Sequence, residues 1–389
     1  MRRLSVRPGL IALAVTVVLP LSGLTGPAPA AAAAPDSLPA AAERGRAVPG
    51  SYVVTVREGA DPRGFAARYE ASPDFVYTAA LHGFAARLND GQRQAMSRDR
   101  DVVAVEQDQV FTADATQGSA TYGLDRIDQR ALPLSGSYDY TATAGAVRAY
   151  VIDTGIATAH PEFGSRAQNV YDAFRGNGQD CNGHGTHVSG TIGAATYGVG
   201  KAVLLRGLRV LDCNGSGSTS GIIAGIDWLR TNHIKPAVAN MSLGGGFSSA
   251  LNTATTNLAN AGVFVAVAAG NEAQDACNVS PASAGGITVV AASDRTDTRA
   301  SFSNSGACVD LYAPGVGITS TWLNGTTNTI SGTSMASPHA AGVGALYKAA
   351  YGDASSSTIN AWLINNATAS VVKSNPGGTP NRLLFKGTL

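Results

Sequence analysis

The sequence predicts an α/β chain: a doubly wound, mostly parallel sheet with helices on both faces, preceded by a small α+β domain. Three observations carry that expectation. From about residue 115 to residue 389, near-continuous runs of Val, Ile and Ala alternate with helix-like runs, the pattern of parallel strands covered on both faces. Residues 51–111 alternate apolar and polar positions over shorter runs and read as a separate strand-and-helix unit. The chain has 389 residues, 44% hydrophobic content and 46 glycines against 6% aromatics, enough to bury a sizeable core with close strand–helix contacts.

Taken in order, residues 1–34 read as an export signal. Arg2, Arg3 and Arg7 precede an apolar run at 10–21, and alanines at 30–34 supply small residues for cleavage. The apolar run is shorter than the roughly 20 residues a membrane span needs. The mature chain is therefore expected to be secreted and free of the membrane. A Pro/Ala/Arg-rich linker follows at 35–50. The small domain, 51–112, is expected to hold strands at 51–56, 84–88 and 102–110 and helices at 62–69 and 90–97. About 60 residues make a marginal domain on their own. A hydrophilic stretch at 112–121 leads to the main domain, 115–389. Its strands are expected at 147–152, 203–210, 237–242, 263–269 and 287–291, and its helices at 185–195, 218–231, 249–262 and 335–351. In such sheets, sites lie beyond the carboxyl ends of the strands. With 14% charged residues and a net charge of +1, nothing in the composition favours a nucleic-acid partner.

The stretch Gly332-Thr333-Ser334-Met335-Ala336-Ser337-Pro338-His339 puts a serine between small residues where a helix begins. There the helix dipole and free N–H groups favour developing negative charge. A serine needs a base, and the base needs an orienting group. Asp153 ends the apolar run at 147–152, where a carboxylate can orient an imidazole. His184, in Asn182-Gly183-His184-Gly185-Thr186-His187, is the imidazole at the opening of a helix. Two histidines three apart also suggest a metal, but the His-Glu-x-x-His arrangement is absent and His187 reads as a structural histidine. A Gly-x-Ser-x-Gly elbow is absent too, and a lipase would need the order Ser, Asp, His. A catalytically dead scaffold would be expected to have lost one of these groups. Four cysteines in an exported chain suggest disulfides, with three possible pairings.

Three segments carry a family resemblance: Val151-Ile152-Asp153-Thr154-Gly155, residues 184–191 and residues 332–339. They resemble the signatures of the subtilases, serine peptidases whose triad runs Asp, His, Ser along the chain. Asp180-Cys181-Asn182-Gly183 and residues 210–218 and 239–246 are similar to the proteinase K subgroup, its aqualysin-like members above all. Residues 51–111 resemble the ferredoxin-like subtilase propeptide, a folding assistant and inhibitor.

The resemblance implies a subtilisin-like fold and a secreted serine endopeptidase of broad specificity. Ser334 would be the nucleophile, His184 the general base and Asp153 its orienting carboxylate, with Asn271 and the Ser334 N–H holding the oxyanion. Substrate would lie extended between Gly215-Ser216-Gly217 and Ser242-Leu243-Gly244-Gly245. Ala268-Ala269-Gly270 would wall a roomy, uncharged pocket for large apolar or aromatic P1 side chains. It further implies disulfides Cys181–Cys213 and Cys277–Cys308, and structural Ca2+ held by the Gly285 and Ile287 carbonyls with the Asp310 carboxylate. A second Ca2+ would use Asp125, Asp128 and Gln129. The expected partners are protein and peptide substrates and the chain's own propeptide, removed by self-cleavage near Asp114-Ala115 to leave a monomer.

Overall fold

The computed structural model describes residues 47–109 and 115–389. The export signal, most of the linker and Asp114 at the expected cleavage point lie outside the described residues. The small domain runs β1 (Ala47–Val56), α1 (Pro62–Arg68), β2 (Pro73–Tyr77), β3 (Gly83–Arg87), α2 (Asp90–Met96) and β4 (Val102–Gln109). Its antiparallel sheet has the order β2-β3-β1-β4. Both helices start where local chemistry dictates. The Asp61 carboxylate accepts from the Arg63 and Gly64 N–H groups with Pro62 in the first turn, and Asn89 and Gln92 form a reciprocal capping box. Val54, Val56, Phe65, Phe84 and Met96 close the core. β1 begins at Ala47, inside the stretch read as linker, and β2 was not anticipated because Pro73-Asp74-Phe75-Val76-Tyr77 lacks a clean alternation.

The main domain opens with β5 (Ala115–Gly118), α3 (Tyr122–Asp128) and β6 (Ser137–Tyr140), then β7 (Arg148–Asp153), β8 (Ala167–Asp172), α4 (His184–Gly193) and β9 (Leu204–Arg209). It continues with α5 (Thr219–Asn232), β10 (Ala237–Met241), β11 (Gly245–Gly246), α6 (Ser249–Asn260), β12 (Phe264–Ala268), β13 (Val279–Ser280) and β14 (Thr288–Ser293). β15 (Leu311–Pro314), the hairpin β16 (Ile318–Thr321) and β17 (Thr327–Ile330), α7 (Thr333–Tyr351), α8 (Ser356–Asn366), β18 (Thr368–Ala369) and β19 (Arg382–Leu383) complete it.

Nine strands form one sheet in the order β18-β19-β15-β14-β12-β10-β7-β9-β8. Every neighbouring pair is parallel except β18 with β19. Alternate side chains of each central strand enter opposite cores, which is why these strands read as unbroken apolar runs. On β7, Ala149 and Val151 join Ile192, Phe264, Leu346 and Leu363, whereas Tyr150 and Ile152 join Leu229, Leu258 and Val265. The first core lies under α4, α7 and α8, the second under α5 and α6.

Two disulfides staple the loops, Cys181–Cys213 and Cys277–Cys308, the pairing the resemblance implied. A buried ion pair ties α3 to the loop after β14: Arg126 Nε and Nη2 reach the Asp297 carboxylate at 2.6 and 3.1 Å.

Candidate active site

The candidate side chains lie at the carboxyl ends of β7 and β12 and in the first turns of α4 and α7. Asp153 is the last residue of β7 and is fully buried. Its Oδ1 accepts from the Thr154 N–H at 2.7 Å. His184 is the first residue of α4, and the chain reaches it through Gly183 at φ +107°. A Cβ on Gly183 would lie 2.5 Å from the Trp322 ring, so both backbone and space require glycine. Gly185 lets α4 press against the end of β7, because a Cβ there would strike the Gly155 carbonyl and lie 3.2 Å from the Asp153 Cβ. The His184 Nδ1–H then donates to Asp153, 2.7 Å from Oδ1 and 2.9 Å from Oδ2. Burial pulls the His184 pKa down, but the charge and hydrogen bond of Asp153, with the charge of Asp180, outweigh it and leave the pKa raised above the ordinary value. His187, one turn on, is different. Its Nε2 faces the Ile318 and Asn328 carbonyls, and burial pushes its pKa down to about 4, which fits a structural histidine.

Ser334 is the second residue of α7. A row of hydrogen bonds fixes its backbone: Ser337 Oγ donates to Asn240 Oδ1 (2.7 Å), Asn240 Nδ2 to Ser242 Oγ (2.8 Å) and Ser242 Oγ to the Ser334 carbonyl (2.7 Å). The Ser334 hydroxyl donates to the Ser242 carbonyl at 3.2 Å, and no Ser334–His184 hydrogen bond occurs among the described residues. Asn271 lies three residues past β12. Its Oδ1 accepts from the Thr333 N–H and hydroxyl at 2.8 and 3.0 Å. That engages the amide oxygen at the residue before Ser334 and leaves the NH2 as the group able to donate.

A cleft of about 450 Å³ opens beside His184 and Ser242. His184, Gly215, Ser216, Gly217, Ser242, Leu243 and Gly244 line it, together with Thr154, Asn182, Leu211, Asn214 and Ile222. Gly245 pairs with Ser280 in the short β11–β13 ladder instead. Ala268 and Ala269 are buried at the end of β12, and the Ala269 carbonyl accepts from Asn304 Nδ2 at 2.9 Å. A charged side chain lies beside Gly270. Glu272 Oε2 accepts from the Asn271 N–H and from Asn304 Nδ2, both at 2.9 Å, and lies 2.7 Å from where a Cβ of Gly270 would be. Sequence reasoning missed Glu272, although its place directly after Asn271 was the available signal. Leu211 and Ile222 were missed because single apolar residues in loops and helices read as core.

The residues named for calcium lie apart from this cleft. Asp310 Oδ2 accepts from the Val289 N–H at 2.8 Å, and Asp125 is buried beside Ser135 and Gly136. No cluster of three or more His, Cys, Asp or Glu side chains able to hold a metal occurs among the described residues.

Residues 147–384 match the profile of the Subtilase family, a span that contains Asp153, His184, Asn271 and Ser334. The chain belongs to the subtilase family. Residues 51–114 match Peptidase inhibitor I9, so this subtilase carries an inhibitor-type propeptide domain ahead of the peptidase domain, and like its family it is a serine endopeptidase. It is 50% identical over 372 residues to the "Extracellular serine proteinase" of Thermus sp. (strain Rt41A), covering 88% of this chain and 91% of that one. It is 43% identical over 383 residues to "Alkaline serine protease ver112" of Corniculantispora psalliotae, covering 96% and 98%. The crystal structure of a cold adapted subtilisin-like serine proteinase superposes with a TM-score of 0.68 at 48% identity, over 70% of this chain and 99% of that one.

Proposed function

We propose that the chain is a secreted zymogen whose mature form hydrolyses peptide bonds in unfolded or flexible protein through Asp153, His184 and Ser334. The observation that carries this reading is the Asp153 carboxylate gripping His184 Nδ1 with both oxygens at the edge of the cleft that His184 lines. With Nδ1 carrying the proton, Nε2 is left basic. Rotation about the Ser334 Cα–Cβ bond moves the hydroxyl from the Ser242 carbonyl toward that nitrogen, a contact often loose before substrate binds. Ser334 Oγ attacks the scissile carbonyl while His184 takes its proton. The tetrahedral oxyanion accepts from the Asn271 amide and the Ser334 N–H. His184 then protonates the leaving amine, and a water deprotonated by His184 releases the acyl group.

Gly215–Gly217 and Ser242–Gly244 offer bare backbone to an extended substrate. Main-chain pairing of that kind is indifferent to sequence, which supports broad specificity. Leu211, Ile222 and Leu243 supply apolar contacts further along the cleft. At P1, the small Ala268-Ala269-Gly270 run favours large apolar side chains, and Glu272 beside it adds tolerance for a basic one. The export signal and a relative named as extracellular support secretion. The inhibitor-type propeptide supports intramolecular inhibition until self-cleavage near Ala115, and a monomer suffices for every step.

Of the two expected places for calcium, the one at Asp310 has the better support. Asp310 is a largely buried carboxyl whose pKa burial raises, in spite of hydrogen bonds from Val289 and Asn360 and the charge of Arg382. With the Gly285 and Ile287 carbonyls it would make the hard-oxygen set, and Ca2+ there would add structural rigidity, not chemistry; the Gly285 carbonyl also accepts from Thr256 Oγ1, a hydrogen bond the ion would have to displace or share. At the other place the oxygens are already used. Asp125 accepts from Ser135 and Gly136, Asp128 from the Asp139 N–H, and Gln129 Oε1 from the Ser135 N–H, so those three do not fit an ion as arranged.

The test is casein hydrolysis by the purified secreted product, with peptide-library mapping of P1. A fluorophosphonate should abolish activity and label Ser334, and Ser334→Ala should accumulate with its propeptide attached. Full activity after quantitative labelling elsewhere, or efficient maturation of pure Ser334→Ala, would refute the reading.

A further inference from the structure

Asp180 is the acidic side chain beside the triad that the reaction does not use. It stands in the loop before α4, 9% exposed, and its carboxylate takes five hydrogen bonds. Oδ1 accepts from Thr154 Oγ1 and from the Asn182 and Gly183 N–H groups, each at 2.9 Å. Oδ2 accepts from the Thr186 N–H at 2.9 Å and from Thr186 Oγ1 at 2.6 Å. These donors come from both structures that carry the triad's first two members. Thr154 follows Asp153 at the end of β7, while Gly183 and Thr186 flank His184 at the start of α4. The Thr154 hydroxyl, while donating to Asp180, also accepts from the Gly185 N–H at 2.9 Å, so the tie closes on both sides of the imidazole.

We propose that Asp180 is a positioning residue of the triad: it locks the first turn of α4 to the end of β7, and it supplies the second negative charge that holds His184 ready to accept a proton. The inference rests on the triad reading above and goes beyond it. A carboxylate at this place is matched to the free N–H groups and dipole of the helix start. Without it, the His184 turn would be free to slide along the strand. Misplacement of about 1 Å can cost roughly 100-fold in rate. The groups facing the ring are Asp153 from β7, Asp180 from the loop, and His187 from the next turn of α4. Burial opposes the charged ring, and Asp180 acts with Asp153 in the other direction.

Charge and tie can be separated. Asp180→Asn removes the charge and sets an NH2 against former donors, whereas Thr154→Val cuts the tie and leaves both carboxylates. The experiment is kcat and KM of the mature enzyme on one peptide anilide from about pH 5 to 10. For Asp180→Asn the acid limb should move down by roughly half a pH unit, because loss of a nearby negative charge lowers the imidazole pKa. Its kcat should fall about 10-fold with KM within about 2-fold. Thr154→Val should lose kcat similarly with its acid limb unmoved, and Thr154→Ser should recover it. A purely structural role would lower the yield or the melting temperature and leave the limb in place.

An unmoved acid limb in Asp180→Asn overturns the inference, and so does a wild-type kcat in Thr154→Val. The second result decides even if the first variant fails to mature. Failure of the triad reading would look different: His184→Ala would stay active, or the wild type would show no acid limb at all.

Discussion

Arg126 and Asp297 offer a stability test whose size follows from their surroundings. The Arg126 side chain is 1% exposed and that of Asp297 8%, and two of the guanidinium nitrogens engage the carboxylate. Arg126 Nη1 and Nη2 also donate to the Gln129 and Arg130 carbonyls at 2.6 and 3.3 Å, so the cation cannot swing out to water without unmaking the turn after α3. Asp297→Asn is the informative change. Position 297 has φ +62°, a conformation asparagine tolerates and alanine does not, so the variant isolates the charge.

Breaking a buried pair from one side costs roughly 3–5 kcal/mol, because the remaining charge stays desolvated. The amide oxygen keeps one acceptor, which places the expectation at about 3 kcal/mol. At about 2–4 °C per kcal/mol for a domain of this class, Tm should fall by about 6–12 °C. Scanning calorimetry on a Ser334→Ala background avoids autolysis, and added salt should not change the difference, since buried pairs are poorly screened. Arg126→Met combined with Asp297→Asn removes the stranded cation and keeps a residue that tolerates φ +62°, so it should recover much of the loss. A fall below about 3 °C in the single variant, or no recovery in the double, would refute the reasoning.

Three further outcomes follow from the site. His184 has a raised pKa, so it stays protonated and useless as a base up to a higher pH. The acid limb of kcat/KM should therefore lie above the ordinary histidine value of about 6.5, and an inflection below it would contradict the Asp153 and Asp180 assignments. Asn271→Ala should lower kcat by about 10²–10³ with little change in KM, a magnitude taken from subtilisin, which belongs to this same family; a KM effect alone would mean that Asn271 binds substrate and does not stabilise the oxyanion. Glu272→Gln should reduce kcat/KM for a P1 lysine peptide by about 10-fold relative to P1 phenylalanine, and an unchanged ratio would remove Glu272 from the P1 pocket.

Much of the architecture was legible because its central strands are buried on both sides and therefore carry no polar interruptions. Runs such as 263–269 announced themselves, and the observed ends differ by one or two residues. The unread elements are those whose sequence answers to one face only. β8, Ala-Gln-Asn-Val-Tyr-Asp, is an edge strand with polar positions. The β16–β17 hairpin is mostly threonine, serine and asparagine, and it earns its place by strapping α4, with Thr321 Oγ1 and Ser320 Oγ donating to the Thr186 and His187 carbonyls. α8 begins with serines whose role as a cap shows only once Ser355 Oγ meets the Thr358 N–H. At the site, the polar side chains at strand ends were readable from position. Glu272 and Asp180 were not assigned roles, because what they do depends in part on partners 6, 26 and 32 residues away in the chain.

The order in which the active groups are strung along the polymer has an outcome for the cell that makes it. β7 and α4 emerge from the ribosome well before α7, the helix that carries Ser334 and packs on β12 and β14. A nascent or truncated chain is thus chemically mute toward its neighbours, and the danger begins only when synthesis is nearly complete, by which time the inhibitory domain has long been made.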